Sequence, residues 1–319
     1  MEQTVNVPKR VVVLLGGRSA EREVSLNTGA QVAAALAECG FEVVTVDTGA
    51  PGFVHEIETA HADVAFICLH GRFGEDGTVQ GLLELLDLPY VGSGVLASAL
   101  AINKVMSKDF YTMAGLTTPG YVTVKRGLPY DVDAITAKLG GKTVVKPADE
   151  GSSVGMTIVS DPARLGDAIE FALGFDPLVL VERFEPGVEV TVGVIGNDEP
   201  VALPTLEIVP QNAFYDYESK YVPGMSRHII PARVSEDARA ECQRLAVEAH
   251  RLLGCAGMSR SDTIVTPDGD VFLLETNTIP GMTKTSLLPD AAAAAGIPFP
   301  ELCERLVGLA LEEWASRRG

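Results

Sequence analysis

The sequence predicts a mixed α/β and α+β architecture, with an open parallel α/β (Rossmann-like) domain at its N-terminal end. In the first third, continuous apolar runs such as VVVLL and VAFICL alternate with helical stretches, as a parallel sheet covered on both faces requires. Farther along the strands are shorter, the loops tighter, and a Pro-Asp-Gly turn joins two neighbouring runs, which points to antiparallel pairing. At 319 residues the chain is too long for one ordinary core and long enough for two or three domains.

The first domain, 1–95, begins with the strand VVVLLGG (11–17). Helix SLNTGAQVAAALAECG (25–40) ends at glycine, and strands EVVTVD (42–47) and DVAFICLHG (63–71) follow. Helix TVQGLLELLDL and strand PYVGSG complete the βαβα pattern. The second domain, 96–182, opens with ALAINKVMSKDFYTMAG (99–115) as one helix. It continues with YVTV, a helix from about 131, strands TVVKPA and MTIV, a helix over 161–174, and LVLVERF. The third, 183–319, starts with EVTVGVIG and PVALPTLEIVP as antiparallel neighbours. The polar run QNAFYDYESKYVPGMS is then a loop of a length that is usually functional. Helix SEDARAECQRLAVEAHRLLG is capped by its first serine, strands MSRSDTIV and FLLETN meet across the Pro-Asp-Gly turn, and two helices close the chain.

Composition narrows the function. The chain is 46% hydrophobic and 21% charged, and its apolar runs are far too short to span a bilayer. The opening MEQTVNVPKRVVVLLGG has basic residues before an apolar run, but Gly-Gly and charges stand where a signal peptide needs a small-residue cleavage site. These features predict a cytoplasmic protein. The five cysteines, scattered and without a CxxC, read as buried thiols in a reducing compartment. Of the histidines only His55 and His61 approach ligand spacing, and they read as surface residues. A net charge of −18 argues against nucleic acid or an anionic membrane as partner, so an anionic ligand would need the scarce lysines and arginines gathered around it.

Several motifs carry chemistry. Residues two apart on a strand share a face, so Glu275 and Asn277 of LLETNTIPGMT project together, and the hairpin brings Asp262 near their level. Such hard oxygens suit magnesium shared with phosphate, with solvated strand-end carboxylates as the alternative. EGSSVGM (150–156), between two strands, offers N–H groups and hydroxyls to a phosphate, and Lys146 in the apolar run before it needs an anionic partner. Together they read as a phosphate lid with its counter-charge. Glu182 and Glu189 would accept hydrogen bonds from an adenine amino group and ribose hydroxyls, or simply be surface charge. GGRSAERE and HGRFGEDG each follow a strand and would line one crevice beyond the strands' carboxyl ends, although neither is a dinucleotide fingerprint.

These segments, with PYVGSG, FYDYESKY, SRSD and ETNTIPGMTKTSLLP, resemble in order and over almost the whole chain the D-alanine–D-alanine ligases of the ATP-grasp superfamily. HGRFGEDGTVQG and the final segment are the most specific. The resemblance implies an ATP-grasp fold with ATP between the central and C-terminal domains and the amino acids toward the N-terminal one. By position, Lys104 and Lys146 would bind ATP phosphates, Glu182 the adenine side and Glu189 the ribose, with Ser153 and Lys220 in the same nucleotide-binding set. Asp262, Glu275 and Asn277 would hold two magnesium ions, or manganese in their place. Glu21 would meet the first substrate's ammonium group beside His70, while Arg260, with the Gly281 backbone, would steady the acylphosphate and the oxyanion. Ser286 and Leu287 would take the second substrate's carboxylate. Lys220 and Tyr221 would lie on a closing loop, with Tyr221 reaching Ser152 and, through it, Glu21.

The implied reaction joins two D-alanines through an acylphosphate, releasing ADP and phosphate, for peptidoglycan precursor synthesis, in a homodimer. The same chemistry with D-lactate or D-serine as acceptor is one alternative. A non-catalytic ATP-binding regulator is another, and it would show degenerate metal carboxylates or lack Arg260, which is not the case. One departure stands out: the family has aliphatic residues where this chain has Ser261 and Thr263. Alternating with Arg260 and Asp262, they should point away from the ligand and alter the packing behind the site.

Overall fold

The computed structural model describes residues 10–149, 151, 154–210 and 226–318. Three sheets organise them. The first contains β1 (Arg10–Leu15), β2 (Glu42–Asp47), β3 (Val64–Ile67) and β4 (Tyr90–Val91), linked through α1 (Arg22–Glu38), α2 (Phe53–Thr59) and α3 (Thr78–Leu85). Its order is β2-β1-β3-β4 and every pairing is parallel. Val11 and Val13 share a core with Val32 and Leu36 of α1, whereas Val12 and Leu14 share the opposite one with Ile57 of α2 and Leu83 of α3. Each such side chain is worth roughly 1.5–3 kcal/mol when fully buried, so both faces select apolar residues and the strand shows no polar alternation. Helix α2 has no counterpart among the expected elements, because its seven residues bury only Ile57 and carry little periodic signal.

The second sheet follows α4 (Val95–Ile102) and α5 (Lys104–Met113). It contains β5 (Tyr121–Lys125), β6 (Thr143–Pro147), β7 (Thr157–Val159) and β8 (Leu178–Arg183), with α6 (Val132–Leu139) and α7 (Leu165–Leu173) between strands. Its order is β5-β8-β6-β7, all antiparallel. The single helix expected over 99–115 is two helices. Asn103 leaves the helical conformation, and its Oδ1 accepts the Met106 backbone N–H at 2.9 Å, a cap worth about 1 kcal/mol. Its Nδ2 donates to Asp149 at 2.6 Å, and the Lys104 N–H donates to the Ala148 carbonyl at 3.0 Å. The break therefore ties the start of α5 to the end of β6.

The third sheet comprises β9 (Val188–Ile195), β10 (Val201–Ala202), β11 (Leu206–Pro210), β12 (Ser226–Ile229), β13 (Met258–Val265) and β14 (Val271–Asn277). Its order is β12-β11-β9-β13-β14, with β10 on β9, and the pairings are antiparallel. Helix α8 (Glu236–Leu252) starts at Ser235, whose Oγ accepts the Ala238 N–H at 3.2 Å, and buries Leu245 and Ala249 in the core of this sheet. After β14 come α9 (Leu287–Ala294) and α10 (Phe299–Arg318). Although last in the chain, α10 returns to the first sheet. Leu302 and Leu306 join the core of Val11 and Val13, and Trp314 packs edge-on against Tyr90 of β4 with centroids 6.2 Å apart. Among the described residues no helix is long and apolar enough to cross a membrane.

Candidate active site

A cleft of about 750 Å³ is walled by residues of the second and third sheets. Lys104 of α5, Lys146 of β6, Glu182 of β8, Glu189 of β9, Asp262 of β13 and Glu275 of β14 all line it. Six of the expected site residues, carried by six different elements, are thus brought to one space. Val144 and Lys146 of β6, with Lys142 just before the strand, reach the same cleft, and Met156, Ile158, Phe184 and Leu274 add an apolar wall. The Lys142 ammonium stands 3.6 Å from the Phe184 ring centroid. Sequence reasoning does not single out these wall residues, although the alternation from Lys142 to Lys146 is a usable signal. Lys104, Lys142 and Lys146 supply the local positive charge that an anionic ligand needs in so acidic a chain.

Glu182 is buried between two ammonium groups. Lys108 Nζ lies 2.5 Å from its Oε1 and Lys146 Nζ 2.5 Å from its Oε2. The Lys108 contact is a close ion pair rather than an aligned hydrogen bond, since Oε1 has no well-directed donor. Burial alone would raise the Glu182 pKa, but the two lysines outweigh it and hold the carboxyl below its usual range. Burial lowers the Lys108 pKa, whereas for Lys146 the neighbouring carboxylates outweigh burial and raise it.

Asp262 and Glu275 are direct partners across β13 and β14, and Arg260 is the partner of Asn277. Lys104 Nζ approaches Glu275 Oε2 at 3.7 Å. Thr191 donates to Asp262 at 2.5 Å, and Asn277 Oδ1 accepts the Ile279 N–H at 2.9 Å. Among the described residues no group of three or more His, Cys, Asp or Glu converges as a ready cage. Two opposed carboxylates on a cleft wall nevertheless fit magnesium, which usually takes one or two carboxylates and completes its shell with water and substrate phosphates. Behind this wall, Ser261 and Thr263 are fully buried. Ser261 Oγ meets Thr276 Oγ1 at 2.8 Å, Tyr111 donates to the same Thr276 oxygen at 2.8 Å, and Thr263 donates to the Val190 carbonyl at 2.7 Å. The two hydroxyls in the departing positions therefore replace apolar packing with a satisfied polar network.

At the first sheet, the loops after β1 and β3 meet as expected. Ser19 Oγ donates to the His70 carbonyl at 2.7 Å, and both loops line a cavity of about 240 Å³ at the strands' carboxyl ends. Glu21 stands at the start of α1 with its carboxylate against two glycines. A Cβ on Gly71 would lie 2.6 Å from Glu21 Oε2, and one on Gly151 would lie 3.2 Å from it. Glu21 thus lies against Gly71 of the HGRFGEDG segment and against Gly151. His70 is buried, with Nδ1 3.3 Å from Glu75 and Nε2 3.3 Å from Thr28. Burial raises the Glu75 pKa, with His70 opposing the shift. Glu75, partly buried, and Lys108, fully buried, are ionisable groups to which sequence reasoning gives no role.

Beyond β14, Ser286 is the N-cap residue of α9, and its Oγ accepts the Thr283 N–H at 3.1 Å. A Cβ on Gly281 would lie 2.9 Å from that Oγ, so the Pro-Gly break lets the backbone fold onto Ser286. Leu287 is buried with Leu206 and Ile208. Ser152, Ser153, Lys220 and Tyr221 lie outside the described residues.

Residues 110–308 match the family model described as D-ala D-ala ligase C-terminus, and residues 48–93 the one described as D-ala D-ala ligase N-terminus. The chain belongs to the D-alanine–D-alanine ligase family. A family member from Pelotomaculum thermopropionicum is 50% identical over 315 residues, covering 97% of this chain and 99% of its own length. One from Desulforamulus reducens is 49% identical, covering 95% and 99%. The crystal structure of the Bacillus anthracis D-alanine–D-alanine ligase complexed with ATP matches with a TM-score of 0.85 at 29% identity, covering 97% of this chain and 99% of that one. This ligase chain thus has the expected ATP-grasp fold with a parallel N-terminal sheet.

Proposed function

We propose that the chain ligates two D-alanines to D-alanyl-D-alanine at the expense of ATP, for peptidoglycan precursor synthesis. The observation that carries this reading is the convergence of Lys104, Lys146, Glu182, Glu189, Asp262 and Glu275 on one cleft, in a chain that matches ligases over nearly its full length. A carboxylate resists attack by an amine. The first D-alanine carboxylate therefore attacks the γ-phosphorus of ATP, giving an acylphosphate and ADP. The amine of the second D-alanine then loses a proton and attacks the acyl carbon, forming the C–N bond as phosphate leaves.

Lys104 and Lys146 neutralise the phosphates, Glu182 faces the adenine amino group, and Glu189 faces the ribose. Asp262 and Glu275, with Asn277, would hold magnesium, which would neutralise phosphate charge. Glu21, beside His70, takes the first ammonium group, and its place against Gly71 and Gly151 supports this. Arg260 and the Gly281 backbone face the acylphosphate and oxyanion, and Ser286 and Leu287 the second carboxylate. Tyr221, Ser152, Ser153 and Lys220 complete the closing loops in the same reading. A division at residues 95 and 182, a homodimeric state and a cytoplasmic location also belong to it; the separate sheets support the division, with α10 packing across it.

The test is phosphate release by the purified protein with ATP and magnesium, with and without D-alanine. Release that depends on D-alanine is expected. Its absence would sink the assignment.

A further inference from the structure

Lys108 is fully buried on α5 and takes no part in the cleft wall. A buried ammonium group is costly unless paired, and a well-packed apolar side chain often serves stability as well or better. Its surroundings are specific. Nζ is 2.5 Å from Glu182 Oε1, donates to Thr118 Oγ1 at 2.5 Å, and stands 5.7 Å from the Tyr121 ring centroid. Thr118 in turn donates to the Leu273 carbonyl of β14 at 2.7 Å. Across the same carboxylate, Lys146 contacts the other oxygen, but its side chain retains 13% exposure and lines the cleft, whereas that of Lys108 has none. Glu182 therefore has one cation sealed away from the cleft and one that faces it.

Neutralising Glu182 needs only one lysine, and Lys146 alone would do it. A one-to-one pair would then hold Lys146 on Glu182 and away from any phosphate, or strand a buried carboxylate whenever Lys146 left. The geometry points to Lys108 as a positioning residue for nucleotide recognition: it keeps Glu182 charged and in place while Lys146 transfers to the phosphates, leaving Glu182 to accept the adenine amino group. The inference rests on the nucleotide reading above and adds a residue that does not touch the nucleotide.

The test is calorimetric binding of ADP and of inosine diphosphate, which carries a 6-oxo group in place of the amino group, to wild type, Lys108→Met and Lys108→Arg. Wild type should prefer ADP. Lys108→Met should weaken ADP by about tenfold or more and bring the two nucleotides within about threefold of each other, the scale of one charge-assisted hydrogen bond. Lys108→Arg should restore the preference, and the KM for D-alanine should stay near wild type in both. If Lys108→Met does not accumulate as folded protein, Lys108→Gln, which keeps a donor without the charge, carries the same readout. A neutral variant with wild-type ADP affinity and preference overturns this inference alone. A wild-type protein without ADP affinity overturns the nucleotide reading as well.

Discussion

Arg260 holds both carboxylate oxygens of Asp262, with Nε 3.0 Å from Oδ1 and Nη2 2.9 Å from Oδ2. The two residues are two apart on β13 and so share a face. In the proposed reaction this contact pre-orients the guanidinium beside the carboxylate that would hold magnesium, where charge would develop as phosphate leaves. Arg260→Met should lower kcat by roughly 10²–10³-fold, the usual cost of one oxyanion donor, while ADP binds within about threefold of wild type. Steady-state kinetics and calorimetry separate the two effects.

Glu275 faces Asp262 across the hairpin and has Lys104 at 3.7 Å. Glu275→Gln keeps the shape and removes the charge. It should impair phosphoryl transfer by about 10²-fold or more and raise the magnesium needed for half-maximal rate, with D-alanine binding changed far less. Near-normal turnover would show that the magnesium site is misassigned.

Gly71 combines a φ of +66° with a close approach to Glu21. Gly71→Ala places a Cβ where the Glu21 carboxylate lies, in a backbone conformation that costs a non-glycine residue about 1–2 kcal/mol. Stability should fall by that order in a denaturant titration, and the KM for the first D-alanine should rise at least tenfold. ATP affinity should be nearly unchanged.

His250 is fully buried on α8, its Nδ1 2.8 Å from Ser259 Oγ. Burial pushes its pKa down from 6.5 to about 4. Between those values the unfolded chain binds the proton and the folded chain does not, so stability falls as pH drops through this window. The loss approaches ~3 kcal/mol once pH is below the folded value. His250→Gln should flatten the fall in urea midpoint between pH 6.5 and 4.5. An unchanged pH profile would contradict the buried neutral imidazole.

Where side chains repeat a local pattern, the sequence is legible. The strands of the first sheet show as apolar runs because both faces are covered, and the hairpin of β13 and β14 shows through its turn and alternation. The break at Asn103 is hidden because cap and helix interior differ by about 1 kcal/mol inside an otherwise helical run. The return of α10 to the first sheet leaves no local signature, since its partners Val11 and Val13 lie near the other end of the chain. Lys108 is legible as part of a helix but not as a buried charge, because Glu182 reaches it from a distant strand. Conversely, the alternation of Ser261 and Thr263 with Arg260 and Asp262 is enough to place them behind the site, where they form hydrogen bonds.

In the proposed reaction the D-alanine carboxylate itself takes the phosphoryl group. D-alanine carrying ¹⁸O in its carboxylate, incubated with the protein, ATP and magnesium, tests it most directly by mass analysis of the released phosphate. One ¹⁸O is expected in each phosphate released with D-alanyl-D-alanine. Phosphate free of the label, formed at the rate of the dipeptide, would contradict it.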